Sequence, residues 1–140
     1  MDNVLIVVED LEAAKAFFAA LGMALVGETT VEGEWADRVV GLHGVRADIA
    51  MMATPDGHGQ VELSKFHAPA AVRFGPQNVP SNTLGMRRIM FAVDDLDATL
   101  AQLPPGASLV DEVAQYEDKY RLCFVRGPEG IVVGLAEELG

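Results

Sequence analysis

Asn3-Val-Leu-Ile-Val-Val-Glu-Asp-Leu-Glu12 and Arg88-Ile-Met-Phe-Ala-Val-Asp-Asp-Leu-Asp97 are two copies of one pattern, 85 residues apart from Asp10 to Asp95. Each is an apolar run, rich in β-branched residues in the first copy, that predicts a short strand and ends at an acidic pair. The second acid of each pair stands where a helix N-cap belongs, ready to accept bonds from the first free amides. After Asp10, Leu11, Ala14, Phe17, Phe18 and Leu21 recur at helical spacing, and Gly22 suits a left-handed C′ position. After Asp95, Leu96, Leu100 and Leu103 repeat the pattern until Pro104-Pro105 stops it. A duplicated strand–cap–helix unit is a two-copy internal repeat.

Strand-like segments follow each helix: Ala24–Val31, Ala47–Ala53 and Gln60–Phe66 in the first copy, and Ser108–Tyr116, Tyr120–Arg126 and Ile131–Ala136 in the second. The turns before the last strands also match, Pro55-Asp-Gly against Pro128-Glu-Gly. Each copy reads β-α-β-β-β, an α+β class. The first copy is expected over residues 1–70, a linker over 71–85 with a proline- and asparagine-containing middle, and the second copy over 86–140. Trp35–Gly44 is extra to the first copy and reads as a short helix plus turn.

Composition narrows the function. The 140 residues fit one domain able to bury roughly two-thirds of its unfolded surface. With 21 acidic and 10 basic side chains the net charge is −11, which disfavours nucleic acid and anionic membrane surfaces and leaves a small molecule as the expected partner. No apolar run approaches the roughly 20 residues that span a bilayer. A single cysteine, Cys123, cannot form an internal disulfide and reads as a small core residue. With no signal-peptide pattern, the cytoplasm is the expected location.

Paired βαβββ modules with Asp-Leu-acidic-Ala after an acidic-ended strand resemble the glyoxalase/bleomycin-resistance/dioxygenase (vicinal oxygen chelate) superfamily, over nearly the whole chain. The resemblance implies that two modules curl their strands into a shared cup, within one chain or across a homodimer. Metalloenzymes of the family hold a divalent ion there with one ligand from each module's first and last strands. Here those positions are Asn3 and Arg88, where His is usual, then Glu62, which fits, and Gly134, where Glu is usual. A glycine offers no ligand, an asparagine oxygen is weak, and a guanidinium is a permanent cation. At an effective dielectric of about 20, that cation about 4 Å from a divalent ion would be repelled by several kcal/mol. The expectation is therefore no metal and no other cofactor.

Glu62 and Arg88 are expected to meet as a carboxylate–guanidinium pair in place of the ion, either as a tie between modules or with Arg88 also facing an anionic or carbonyl ligand. Strand parity puts Arg88, Met90 and Ala92 on the cup side and Ile89, Phe91 and Val93 on the helix side. The other expected lining residues are Leu5, Val7, Phe66 and Met51 or Met52. Trp35 reads as an aromatic lid or as a surface packing residue, and Tyr116 and Tyr120 as turn residues whose hydroxyls can reach a ligand. His43 and His58 read as turn residues, His67 as a residue at the cup mouth, and Arg73 and Arg87 as solvent-facing charges. Three functions remain open: a binder of a small hydrophobic or aromatic molecule; a metal-independent lyase, isomerase or hydrolase using Glu62 as base and Arg88 as oxyanion stabiliser; and a metal-dependent glyoxalase or dioxygenase. Pairing with Arg88 would weaken Glu62 as a base.

Overall fold

The computed structural model describes residues 1–140 as two compact units, Met1–Phe74 and Gly75–Gly140. In the first, β1 (Val4–Val7) leads to α1 (Leu11–Ala20), β2 (Ala24–Glu32), α2 (Glu34–Val40), β3 (Arg46–Ala53) and β4 (Gln60–Ala68). In the second, β5 (Arg88–Ala92) leads to α3 (Leu96–Gln102), two short strands β6 (Ser108–Leu109) and β7 (Ala114–Tyr116), then β8 (Tyr120–Arg126) and β9 (Val132–Glu138). The sheets have matching orders, β1-β4-β3-β2 and β5-β9-β8-β6, with β7 also pairing β8. The fold is the α+β double βαβββ that the repeat predicts, with α2 as the extra element of the first copy.

The caps form as the repeat requires. The Asp10 carboxylate accepts the Ala13 amide at 3.0 Å, and the Asp95 carboxylate accepts the Ala98 amide at 3.0 Å. α1 ends in a Schellman arrangement: the Gly22 and Met23 amides donate to the Ala19 and Phe18 carbonyls at 3.0 and 3.2 Å. Gly22 has φ +98°, which a side chain would strain. α3 receives a second anchor, since the Glu137 carboxylate on β9 accepts the Leu96 amide at 2.7 Å.

Each sheet buries one face under its helix. In the first unit Phe17 and Phe18 of α1, edge-to-face at 5.1 Å, are buried along with Ile6, Val8, Ala50, Met52, Val61 and Leu63 from the sheet. In the second, Leu96 is buried with Phe91, Cys123, Val125, Val133 and Leu135. Burial pushes the Cys123 thiol up, away from the reactive thiolate, in keeping with a core role.

One predicted strand breaks. Ser108–Tyr116 is two short strands because Asp111-Glu112 falls in its middle, and adjacent acids pack poorly in a sheet. The Val110 amide still reaches the Phe124 carbonyl at 2.9 Å, so the chain stays near β8 before it bends away.

Candidate functional site

Strand register fixes which side chains share the face not covered by a helix. In the first unit Leu5 of β1 lies beside Glu62 of β4, and Glu62 beside Met51 of β3. In the second, Met90 of β5 lies beside Gly134 of β9, and Gly134 beside Phe124 of β8. Leu5 corresponds to Met90 at the repeat spacing, so the two parallel pairs make Gly134 the counterpart of Glu62. The sequence alignment is thus in register within each unit.

Exposure follows the same parity. Leu5 is 50% exposed and Met90 49%, whereas their neighbours Ile6 and Phe91 are buried. Arg88 and Ala92 are exposed with Met90, and Glu62 and Phe66 are half-buried. Of the two adjacent methionines, Met51 shares the face of Glu62. Met52 pairs with Val61 on the helix side and is 1% exposed, so it is core and not lining. Consecutive strand residues point to opposite faces, which leaves room for only one of them in a site.

The second unit's face is packed around Gly134. A Cβ placed on this buried glycine would lie 2.0 Å from the Met90 sulfur and 2.8 Å from its methyl carbon. The Met90 side chain therefore lies over β9 in the space that a larger residue would need. Beside it, the Arg88 guanidinium carbon stands 4.3 Å from the centre of the Phe124 ring. Arg88 starts two strands from Phe124 and reaches across β9 to its ring. The cation–π contact holds the guanidinium over the aromatic side chain. The expected partner Glu62 belongs to the other unit, so that pairing concerns the association of the units and not the fold of either.

The remaining candidates fall into place individually. Asn3 precedes β1 and donates from its amide nitrogen to Asp2 at 2.8 Å. Trp35 lies in the first turn of α2, 69% exposed. Tyr116 and Tyr120 are cross-strand partners in the β7–β8 hairpin, stacked with ring centres 5.5 Å apart and both exposed. His43 and His58 are exposed loop residues. His67 is not a neighbour of Glu62: its Nε2 lies 2.8 Å from the Asp48 carboxylate, which also accepts the Thr30 hydroxyl at 2.8 Å. That histidine and then that hydroxyl hold the Asp48 carboxyl below its ordinary range. Arg73 pairs with Glu9 at 2.7 Å. Arg87 is half-buried with its Nε shielded and unpartnered, not solvent-facing as expected.

Sequence reasoning missed two structural residues. Asp37 closes the α2–β3 loop by accepting the Gly44 and Val45 amides at 3.0 and 2.8 Å, which pulls its carboxyl down, Val45 contributing most. Arg126 donates to the carbonyls of Gln77, Gly130 and Val79 at 3.2 to 3.3 Å, fixing the start of the second unit against the Pro128-Glu-Gly turn. Gly130 is obligatory there, since a Cβ would lie 2.0 Å from the Gln77 oxygen. Arg126, Gln77, Asn78 and Ser108 border a largely polar cavity of about 410 Å³.

The divalent ion implied by the family resemblance does not fit these residues. The first unit offers one carboxylate, Glu62, and an amide, Asn3; the second offers a cation and a glycine covered by a thioether. No group of three or more His, Cys, Asp or Glu side chains is placed to hold a metal ion.

Comparison with known proteins agrees with this architecture. A family model described as the Glyoxalase/Bleomycin resistance protein/Dioxygenase superfamily matches residues 1–135. The structure of a glyoxalase family protein from Bacillus cereus is similar at 53% identity and a TM-score of 0.93, over 100% of this chain and 94% of that one. A glyoxylase/bleomycin resistance protein/dioxygenase domain from Frankia shares the fold at 14% identity and a TM-score of 0.64, over 99% and 96% of the two chains. A maize glyoxalase I mutant does so at 19% identity and a TM-score of 0.65, this chain spanning 44% of its length. No curated protein matches. Register, repeat and family model together make this chain a member of the glyoxalase/bleomycin resistance protein/dioxygenase superfamily.

Proposed function

We propose that the protein binds a small hydrophobic or aromatic molecule on the helix-free faces of its two sheets, with no metal ion taking part. The observation that carries this is the open face of the second unit, where Met90 covers Gly134 and Arg88 lies on Phe124. Carboxylate and imidazole give way there to a thioether, an aromatic ring and a guanidinium, groups that suit an organic ligand better than a divalent ion. Leu5 and Val7 on the first face and Met90 on the second are exposed apolar side chains that an apolar ligand would cover. The same reading takes the protein as a cytoplasmic homodimer. No helix is long and apolar enough to cross a membrane.

The test is a titration with aromatic ligands in the presence of a chelator, followed by Trp35 fluorescence and thermal unfolding. A ligand that binds the native state at about 100 times its Kd stabilises it by about 2.7 kcal/mol. The proposal expects saturable binding that the chelator leaves unchanged and that Met90→Asp abolishes. Binding that appears only after a divalent metal is added would contradict it. Turnover of a carbonyl compound under the same chelating conditions would favour a metal-independent enzyme instead.

A further inference from the structure

We infer that the molecule bound on the second unit's open face carries a planar oxyanion, a carboxylate or its equivalent, received by Arg88. This rests on the reading above that the face binds a small apolar or aromatic molecule, and it names that ligand's polar end.

Three of the seven arginines have N–H donors bonded to oxygen atoms of their own unit. Arg121 is engaged side-on by both oxygens of Asp97, at 3.0 and 3.1 Å. Arg73 pairs with Glu9, and Arg126 is tied to three main-chain carbonyls. Arg88 differs. Its engagement within its unit is the cation–π contact with Phe124, 4.3 Å from guanidinium carbon to ring centre. A ring occupies none of the N–H donors with an oxygen acceptor, so the guanidinium retains capacity for one.

The surroundings reinforce this. Residues sharing the face are Met90 and Ala92 on β5, Leu122, Phe124 and Arg126 on β8, and Val132, Gly134 and Ala136 on β9. One of these, Arg126, is cationic like Arg88 itself, and none is acidic. Glu138, of the same parity, stands at the far end of β9 opposite Tyr120, four residues beyond Gly134 and so about 13 Å along the strand. The patch is locally positive within an acidic protein. A carboxylate fits the guanidinium edge through two parallel charge-assisted bonds. Ring contact already restrains the Arg88 side chain, so less of its freedom is lost on docking. The ligand's apolar body then has Met90, Ala92 and Leu122 beside it.

The test compares two probes of one shape, 2-naphthoate and its neutral isostere 2-naphthamide, by isothermal titration calorimetry. One or two charge-assisted bonds predict that naphthoate binds about tenfold to a hundredfold more tightly. Arg88→Gln should remove that preference, bringing the two probes to within about threefold of each other. Arg88→Lys, which keeps the charge but loses the planar fork, should retain only part of the preference and guards against misfolding of the glutamine variant. Equal binding of the two probes, or a preference that survives Arg88→Gln, would overturn the oxyanion inference while leaving the binding proposal standing. Binding of neither probe would overturn both.

Discussion

The two modules carry the same strand, cap and helix, yet their open faces have diverged. On the helix side the copies are interchangeable in kind: Leu63 and Leu135 occupy equivalent last-strand positions, and both are completely buried. On the open side the equivalent triplets are Leu5–Glu62–Met51 and Met90–Gly134–Phe124. The difference teaches that the helix-covered face is held by packing, which any copy must satisfy. The open face has no helix to satisfy, so its residues can differ between copies. Where the first unit carries Glu62 the second has a bare glycine with the Met90 side chain over it, and Arg88 lies on Phe124 beside it, so these four residues are best treated as one coupled group.

The shared half should respond alike in both copies, and strongly. Leu63→Ala and Leu135→Ala should each destabilise by about 2–5 kcal/mol in chemical denaturation, since each leaves a cavity under its helix. A loss confined to one of them would show that the modules' cores are not equivalent.

The divergent half should respond asymmetrically. Gly134→Glu must push the Met90 side chain aside and should cost about 1–3 kcal/mol by overpacking. Met90→Ala in the same molecule should recover most of that, because the clash is with a flexible side chain. The reverse change in the first unit, Glu62→Gly, should cost no more than about 1 kcal/mol, chiefly through backbone freedom. Equal costs in the two directions would remove the claim that the second face is packed around its glycine.

Smaller still are the caps. Asp10→Ala and Asp95→Ala should each cost about 1 kcal/mol, in keeping with the same 3.0 Å bond at both helix starts. The effect of Asp37, which has no counterpart in the second copy, should depend on pH. Its folded pKa lies below its ordinary value because it accepts the Val45 and Gly44 amides. Its contribution is therefore complete above the ordinary carboxylate range and lost as pH falls through the depressed folded value. Asp37→Asn should lower the Tm at neutral pH, and the gap from the parent should narrow as acid is added. A gap independent of pH would mean that those bonds do not set the loop's stability.

Legibility in the sequence followed the range of the interactions. Strand, cap and helix are local, so Asp10, Asp95 and Gly22 announced themselves, and so did the parity of Arg88, Met90 and Phe91. The β8 alternation of Leu122, Phe124 and Arg126 carried a readable signal, yet Phe124 was missed as a residue of the open face. That Arg88 would lie on it was not legible, because the contact bridges three strands. Met52 was misplaced for want of a register to tell it from Met51. The ties from Asp48 to His67 and from Asp37 to Gly44 and Val45 join residues whose individual roles carry no spacing signature.

The central claim is that Arg88 and Gly134 give the second unit no metal ligand and that Glu62 in the first does not hold a divalent ion. Elemental analysis of the protein, purified without chelators and then equilibrated with zinc, nickel, manganese and ferrous iron, puts it to the most direct test. The account predicts far less than one ion per chain and no rise in Tm with any of the four. One tightly held ion per chain or per dimer, lost in Glu62→Ala, would contradict it.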